Sequence, residues 1–282
     1  MRLTTRVLSA GLLALPLLGW SQPALAHSPF SGEAQEQLTA ILTAVVLAVF
    51  WGVYLRGTWL RPPGWGRFMT FNLTGVLAVL ALLGPLDDWA KTSTAAHMTQ
   101  HMMLMVVIAP LWVLCRPLSQ IVAGGGRPAA AFWMPMLRLS SRPLWAAYLH
   151  GFMIWFWHLP YFYMLAVDNP WWHAIEHACF LVSAGIFWWA ILRFGKLGAG
   201  WALLALLLTL MHTGFLGAVL TFAQEPLYGE ARDLADQQLA GLIMWVLAAI
   251  PYLAASAWIG HRWFRQLDSG VRPARANPIN LS

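Results

Sequence analysis

Two His-x-x-x-His pairs, His97/His101 and His173/His177, open strongly apolar stretches of the chain, and the second pair encloses a carboxylate, Glu176. Residues four apart stack on one helix face about one turn from each other. Imidazoles and carboxylates bind metals and carry protons. Such groups are expensive inside a bilayer, so several at one depth mark a ligand, proton or metal site. Methionines crowd the first pair (Met98, Met102, Met103, Met105), and Met211 adjoins His212. Imidazole with thioether suits copper, above all Cu(I), whereas imidazoles alone also suit zinc or iron. The methionine spacing is equally that of a packing stripe on one helix face.

The elements that must position these side chains are membrane helices. Hydrophobic residues form 59% of the 282 positions and charged residues 10%, which excludes an ordinary soluble domain. Eighteen tryptophans fit the same class, because Trp anchors helix ends at the headgroup level. Seven stretches are long enough to span a bilayer: Leu38–Tyr54, Phe68–Leu86, Ala95–Leu114, Leu144–Val167, Trp171–Leu192, Trp201–Phe222 and Leu239–Ile259. None alternates like a barrel strand, so the expected fold is all-α, a seven-helix membrane bundle. Residues 1–26 read as a cleavable signal peptide, with Arg2 and Arg6, the apolar run Val7–Trp20, and Ala24-Leu25-Ala26 at the cleavage point. A short periplasmic segment (27–37), the membrane domain (38–260) and a basic cytoplasmic tail (261–282) follow.

Lys and Arg set the orientation: 13 fall in the first, third and fifth loops and the tail, against Lys91 and Arg232 in the alternate loops. The same outer segments hold nine of the eleven acidic residues. This places the N-terminus outside and the C-terminus in the cytoplasm, and it explains the basic balance by topology, not by a nucleic-acid partner. Gly124-Gly125-Gly126 reads as a flexible linker, with Ala129–Leu139 along the inner interface. Cys115 and Cys179 read as packing residues rather than a disulfide, with a soft metal ligand as the minority reading for Cys179, two residues beyond His177.

With that orientation, helix direction brings His97, His101, His173, Glu176 and His177 into the outer third of the membrane. Counting 1.5 Å per residue puts His158 roughly 12 Å and His212 roughly 15 Å below the outer surface. Six histidines from four helices therefore share the outer half, while His150 and His261 lie toward the inner side. Each taken singly could merely hydrogen-bond a neighbouring helix. After signal cleavage, His27 would offer an α-amino group and an imidazole together, or simply begin a disordered terminus. Pro110 is expected to kink the third helix. Asp236 could orient a ligand imidazole or cap the seventh helix, capping being the stronger expectation.

The run His97-Met98-Thr99-Gln100-His101-Met102, followed by Ala109-Pro110 and Arg116-Pro117, resembles the third-helix signature of the CtaG proteins associated with caa-type cytochrome c oxidase. Trp157-His158-Leu159-Pro160, His173…Glu176-His177, Leu216-Gly217-Ala218, Pro226-Leu227-Tyr228 and Asp236-Gln237-Gln238 continue the pattern in order over roughly residues 40–260. The resemblance implies a non-enzymatic inner-membrane factor for oxidase assembly, acting in copper-centre maturation, with His97, His101, His158, His173, His177, Asp236 and Gln237 as its motif positions.

The reading that joins residues and resemblance is a copper-binding factor. Its metal ligands would be His97, His101, His173 and His177, with His158 and His212 as further candidates and Met98 and Met102 as soft ones. Glu176, Asp236 and Gln237 would support them. Oxidase subunits, periplasmic copper chaperones and the lipid bilayer are the expected partners. The rivals are a bis-His haem protein, a metal-dependent membrane hydroxylase or hydrolase, and a metal-free scaffold.

Overall fold

The computed structural model describes residues 33–193, 198–229 and 233–271. The expected signal peptide, His27 and the tail from residue 272 lie outside them. Every regular element among the described residues is helical. In order these are α1 (Ala34–Leu60), α2 (Trp65–Leu83), α3 (Pro85–Ala90), α4 (Thr94–Met102), α5 (Ala109–Cys115), α6 (Leu118–Ser140), α7 (Pro143–Trp157), α8 (Pro160–Asp168), α9 (Pro170–Leu192), α10 (Ala199–Phe222), α11 (Leu234–Leu242) and α12 (Ala248–Val271). One π-helical turn, Met103–Ile108, joins α4 to α5, and another, Ile243–Leu247, joins α11 to α12.

Six segments are long and apolar enough to cross a membrane: Ala34–Leu60, Trp65–Ala90, Thr94–Cys115, Pro170–Leu192, Ala199–Phe222 and Leu234–Leu267. Large apolar side chains face outward along them, Val46 at 66% and Val49 at 60% exposure among them, as helices facing lipid require. The chain is a multi-pass membrane protein. The expected fourth span, Leu144–Val167, is instead two shorter helices, α7 and α8. Pro160 causes the break: it holds Leu159 extended (φ −65°, ψ 133°) and begins α8 at its first turn, where its missing N–H costs nothing.

Gly124–Gly126 is only in part the expected linker. Gly124 and Gly125 are helical, whereas Gly126 leaves helical geometry at φ 66° and ψ −151°, a conformation that favours glycine, so that α6 is two helices meeting at a kink. A Cβ on Gly124 would collide with the Val53 carbonyl, and one on Gly57 with the Gln120 carbonyl. Small residues thus let α1 and α6 touch backbone to backbone, as membrane helices commonly do. The Gln120 amide closes this seam by donating to the Arg61 carbonyl at 3.0 Å.

Pro110 follows an interruption of regular α geometry in the third span. It cannot donate to the carbonyl four residues back, and the wider π turn just ahead of it takes up the mismatch, with the Ala109 N–H bonded to the Leu104 carbonyl. The indole N–H of Trp188 on α9 donates to the Met105 carbonyl in this turn at 2.8 Å. Pro251 follows the second π turn in the same way.

The two helices that carry the His-x-x-x-His pairs are the most enclosed of the six, 61% buried for Thr94–Cys115 and 56% for Pro170–Leu192. The other segments surround them. At one end gather the acidic residues Glu36, Asp87, Asp88 and Asp236. There Lys91 pairs with Glu36 at 3.3 Å and Asp88 at 3.1 Å. Partial burial pulls the Lys91 ammonium down, but these two carboxylates more than offset it and hold it above its ordinary value. Arg67, Arg116 and Arg193 gather at the opposite end, where burial and mutual repulsion lower the Arg193 guanidinium.

Candidate metal centre

The start of α4 is built for precision. The Ser93 hydroxyl accepts the Ala96 N–H at 3.1 Å as N-cap. Asp236, at the start of α11, reaches across to this same helix end. Its carboxylate accepts the Ser93 hydroxyl at 2.9 Å, the Ala95 N–H at 3.3 Å, and the Thr94 N–H in a short bond. A carboxylate at a helix N-terminus also meets the positive end of the helix dipole. Asp236 therefore caps the helix of the first histidine pair. Neither sequence expectation named that helix: Asp233 caps α11, accepting from Ala235 and Asp236, and Asp236 orients no imidazole. Gln237 is also engaged elsewhere, accepting the Leu227 N–H at 2.7 Å and fixing the loop before α11.

On α4, His97 and His101 project toward α9, whose start is fixed by Pro170 in its first turn and by Asn169, which accepts from Trp171 and Trp172. The two pairs meet as one cluster. Ring centroids are 4.3 Å apart for His97–His101, 5.1 Å for His97–His173, 4.1 Å for His173–His177 and 5.6 Å for His101–His177. Glu176 lies between them, its Oε2 at 3.4 Å from His97 Nε2 and 3.5 Å from His101 Nε2. One ligand atom from each of His97, His101, His173 and Glu176 falls within 4.8 Å of every other. His97, His101 and Glu176 are at most 1% exposed.

Apart from the two approaches of Glu176 to His97 and His101, both ring nitrogens of those histidines, both Glu176 oxygens and Nε2 of His173 and His177 have no hydrogen-bond partner among the described residues. Buried polar atoms are normally paired, and each one left alone is costly. Three imidazoles and a carboxylate converging on one point are a ligand set for a transition-metal ion. The residues present fit such an ion.

Asp87 is the member that sequence reasoning missed. Its Oδ1 lies 3.8 Å from His173 Nδ1, and it forms a second, shallower group with His173 and His177. Gln100, one turn above His97 on the wheel of α4, positions it: the side-chain amide donates to Asp87 Oδ1 at 2.7 Å and to the Ala81 carbonyl at 2.8 Å. Asp87 sits in an acidic run beside Asp88, which in sequence looks like any solvated loop.

His158 flanks the cluster, its ring 6.2 Å from that of His101. Met98 touches it, with Sδ at 3.3 Å from His158 Nε2. Met102 packs into the apolar core. His212 is not part of the group: it lies against Gly151, where an added Cβ would come within 2.8 Å of its Nε2. Nearby on α7, His150 bonds Ser183 at 3.0 Å. Position along a helix does not fix which way that face of the helix points. Above the cluster, Tyr163 packs on His97 at 5.0 Å and stacks on Tyr228 at 3.8 Å. Burial, with Tyr163 and Glu176 adding to it, pushes the Tyr228 phenol up, so it stays neutral and donates to the His158 carbonyl at 3.4 Å.

Proteins from Mycobacterium bovis and Mycobacterium tuberculosis, both described as uncharacterized, are 26% identical to this chain over 254 residues. The match covers 79% of this chain but 38% of each relative, so the chain spans well under half the length of the relatives it matches. No solved structure matches it. The family model for the cytochrome c oxidase caa3 assembly factor (Caa3_CtaG) matches residues 47–266, which takes in every helix of the cluster, and the chain belongs to that family.

Proposed function

We propose that this protein is a copper-binding assembly factor of the bacterial inner membrane that helps load copper into a cytochrome c oxidase subunit. His97, His101, His173 and Glu176 hold the ion, Asp87 adjoins it on the side nearer the surface, and His177 lies one turn further along α9, beside His101. The observation that carries this reading is the convergence of those four ligand atoms within 4.8 Å, buried and without other partners. The Lys and Arg distribution supports an N-terminus outside and a C-terminus inside, which puts the cluster on the periplasmic side. There it could receive copper from a periplasmic carrier and pass it to an oxidase subunit in the same membrane. When bound, the ion is cargo, and the chain's own groups hold it, exclude water and orient its exit.

Haem is the weaker reading. Imidazole rings 4.1–5.6 Å apart with a carboxylate among them suit a bare ion better than a macrocycle. The test is the copper content of the purified full chain. Wild type should carry copper, and His101→Ala and Glu176→Ala should each lose it; unchanged copper in both variants overturns the reading. In a deletion strain the oxidase should be copper-poor and recover in part with added copper. A fully loaded oxidase there would remove the pathway.

A further inference from the structure

Beside the nitrogen-and-oxygen cluster lies a contact that ordinary hydrogen bonding does not explain. His158 Nδ1 is 2.7 Å from the Ile154 carbonyl, which can only accept, so Nδ1 carries the proton. In a neutral ring, Nε2 then presents a bare lone pair. It faces Met98 Sδ at 3.3 Å, and a thioether has no proton to give. Met98 is fully buried and His158 is 5% exposed, so bulk water does not separate them. Two lone-pair donors thus meet in an apolar interior at van der Waals contact with no proton between them, an arrangement that a soft cation bound by both would stabilise.

We propose that His158 and Met98 form a second, soft subsite that takes Cu(I), adjoining the divalent-type cluster through His101. This rests on the copper reading above and assigns the oxidation state to a place. Thioether and imidazole are ligands that select Cu(I). Both are neutral, and burying a single charge costs far less than burying two, so a pair lacking a carboxylate suits a monovalent ion. The neighbouring cluster holds the carboxylate, which suits a divalent ion. Donors thus grade from Asp87 and His173 near the surface, through His97, His101 and Glu176, to nitrogen and sulfur at His158 and Met98. No redox step is required, since Cu(I) can enter as Cu(I).

The test uses the full chain in lipid nanodiscs. Cu(I) is titrated without oxygen against a chromophoric Cu(I) chelator, and Zn(II) in parallel. Met98→Leu should weaken Cu(I) binding by about tenfold or more and leave Zn(II) binding unchanged. X-ray absorption of Cu(I)-loaded wild type should show a copper–sulfur path that Met98→Leu lacks. The absorption measurement on wild type stands even if the variant folds poorly. Unchanged Cu(I) affinity, or wild-type copper with no sulfur neighbour, overturns the subsite and points to a buried imidazolium. Loss of both metals in Glu176→Gln with no effect of Met98→Leu leaves the main cluster standing. Failure of wild type to bind either metal removes both.

Discussion

Glu176 is the residue on which the cluster turns. It is fully buried, and the groups within reach of its Oε2 are His97 and His101, so replacing it removes the negative charge that would balance a bound cation. Glu176→Gln keeps the shape and should lower the affinity for divalent copper or zinc by roughly 10–100-fold, read by competitive titration. Gln100→Leu frees Asp87 without touching an imidazole. It should slow metal uptake more than it weakens the final affinity, a split that stopped-flow loading against equilibrium titration would expose. The histidine pairs were legible because four-residue spacing in an apolar stretch has few other meanings, but sequence makes His177 a ligand and Glu176 a supporting group, whereas the atoms that converge are those of His97, His101, His173 and Glu176. Asp87 was not, since its role depends on a fold-back between α3 and α4 that brings Gln100 beneath it.

At the scale of elements, the cap of α4 joins segments 142 residues apart in sequence. Asp236→Ala should lower stability by about 0.5–2 kcal/mol, the range for a lost N-cap, seen as an earlier thermal transition in detergent. Ser93→Ala should add less to Asp236→Ala than it costs alone, because the two side chains share one network. A bulky residue at Gly124 should separate α1 from α6 and cost more than either cap variant. The spans themselves could be read from hydropathy, which sees length and composition. Hydropathy does not see where a proline ends a helix, as Pro160 does within the expected fourth span, nor that glycines in close contact stay helical up to a kink, as Gly124 and Gly125 do before Gly126.

For the whole molecule, a metal that binds only the folded state stabilises it by mass action. Copper at 100 times its dissociation constant should add about 2.7 kcal/mol. Thermal unfolding with graded copper should therefore shift upward in wild type and not in His101→Ala. Topology is open to a separate check: in a chain without Cys115 and Cys179, Asp88→Cys should react with an impermeant thiol reagent in intact spheroplasts, and Arg67→Cys only after lysis. Labelling of Arg67→Cys but not Asp88→Cys in intact spheroplasts would reverse the reading from the basic loops. Fold class and the helix pair that forms the centre followed from sequence. The angular placement of His158 and His212 did not, because it depends on packing among α4, α7, α9 and α10.

The break at Pro160 bears on how the chain enters the membrane. With 15 residues, α7 rises about 22 Å, short of the roughly 30 Å hydrocarbon layer. A segment of that length is expected to settle poorly across the bilayer alone. Stable insertion of α7 would then wait for α8 and α9, and the loop bearing His158 would reach its final depth only when the second histidine pair has been synthesised. Pro160→Ala, which favours one continuous span, should insert earlier and leave His158 turned away from Met98.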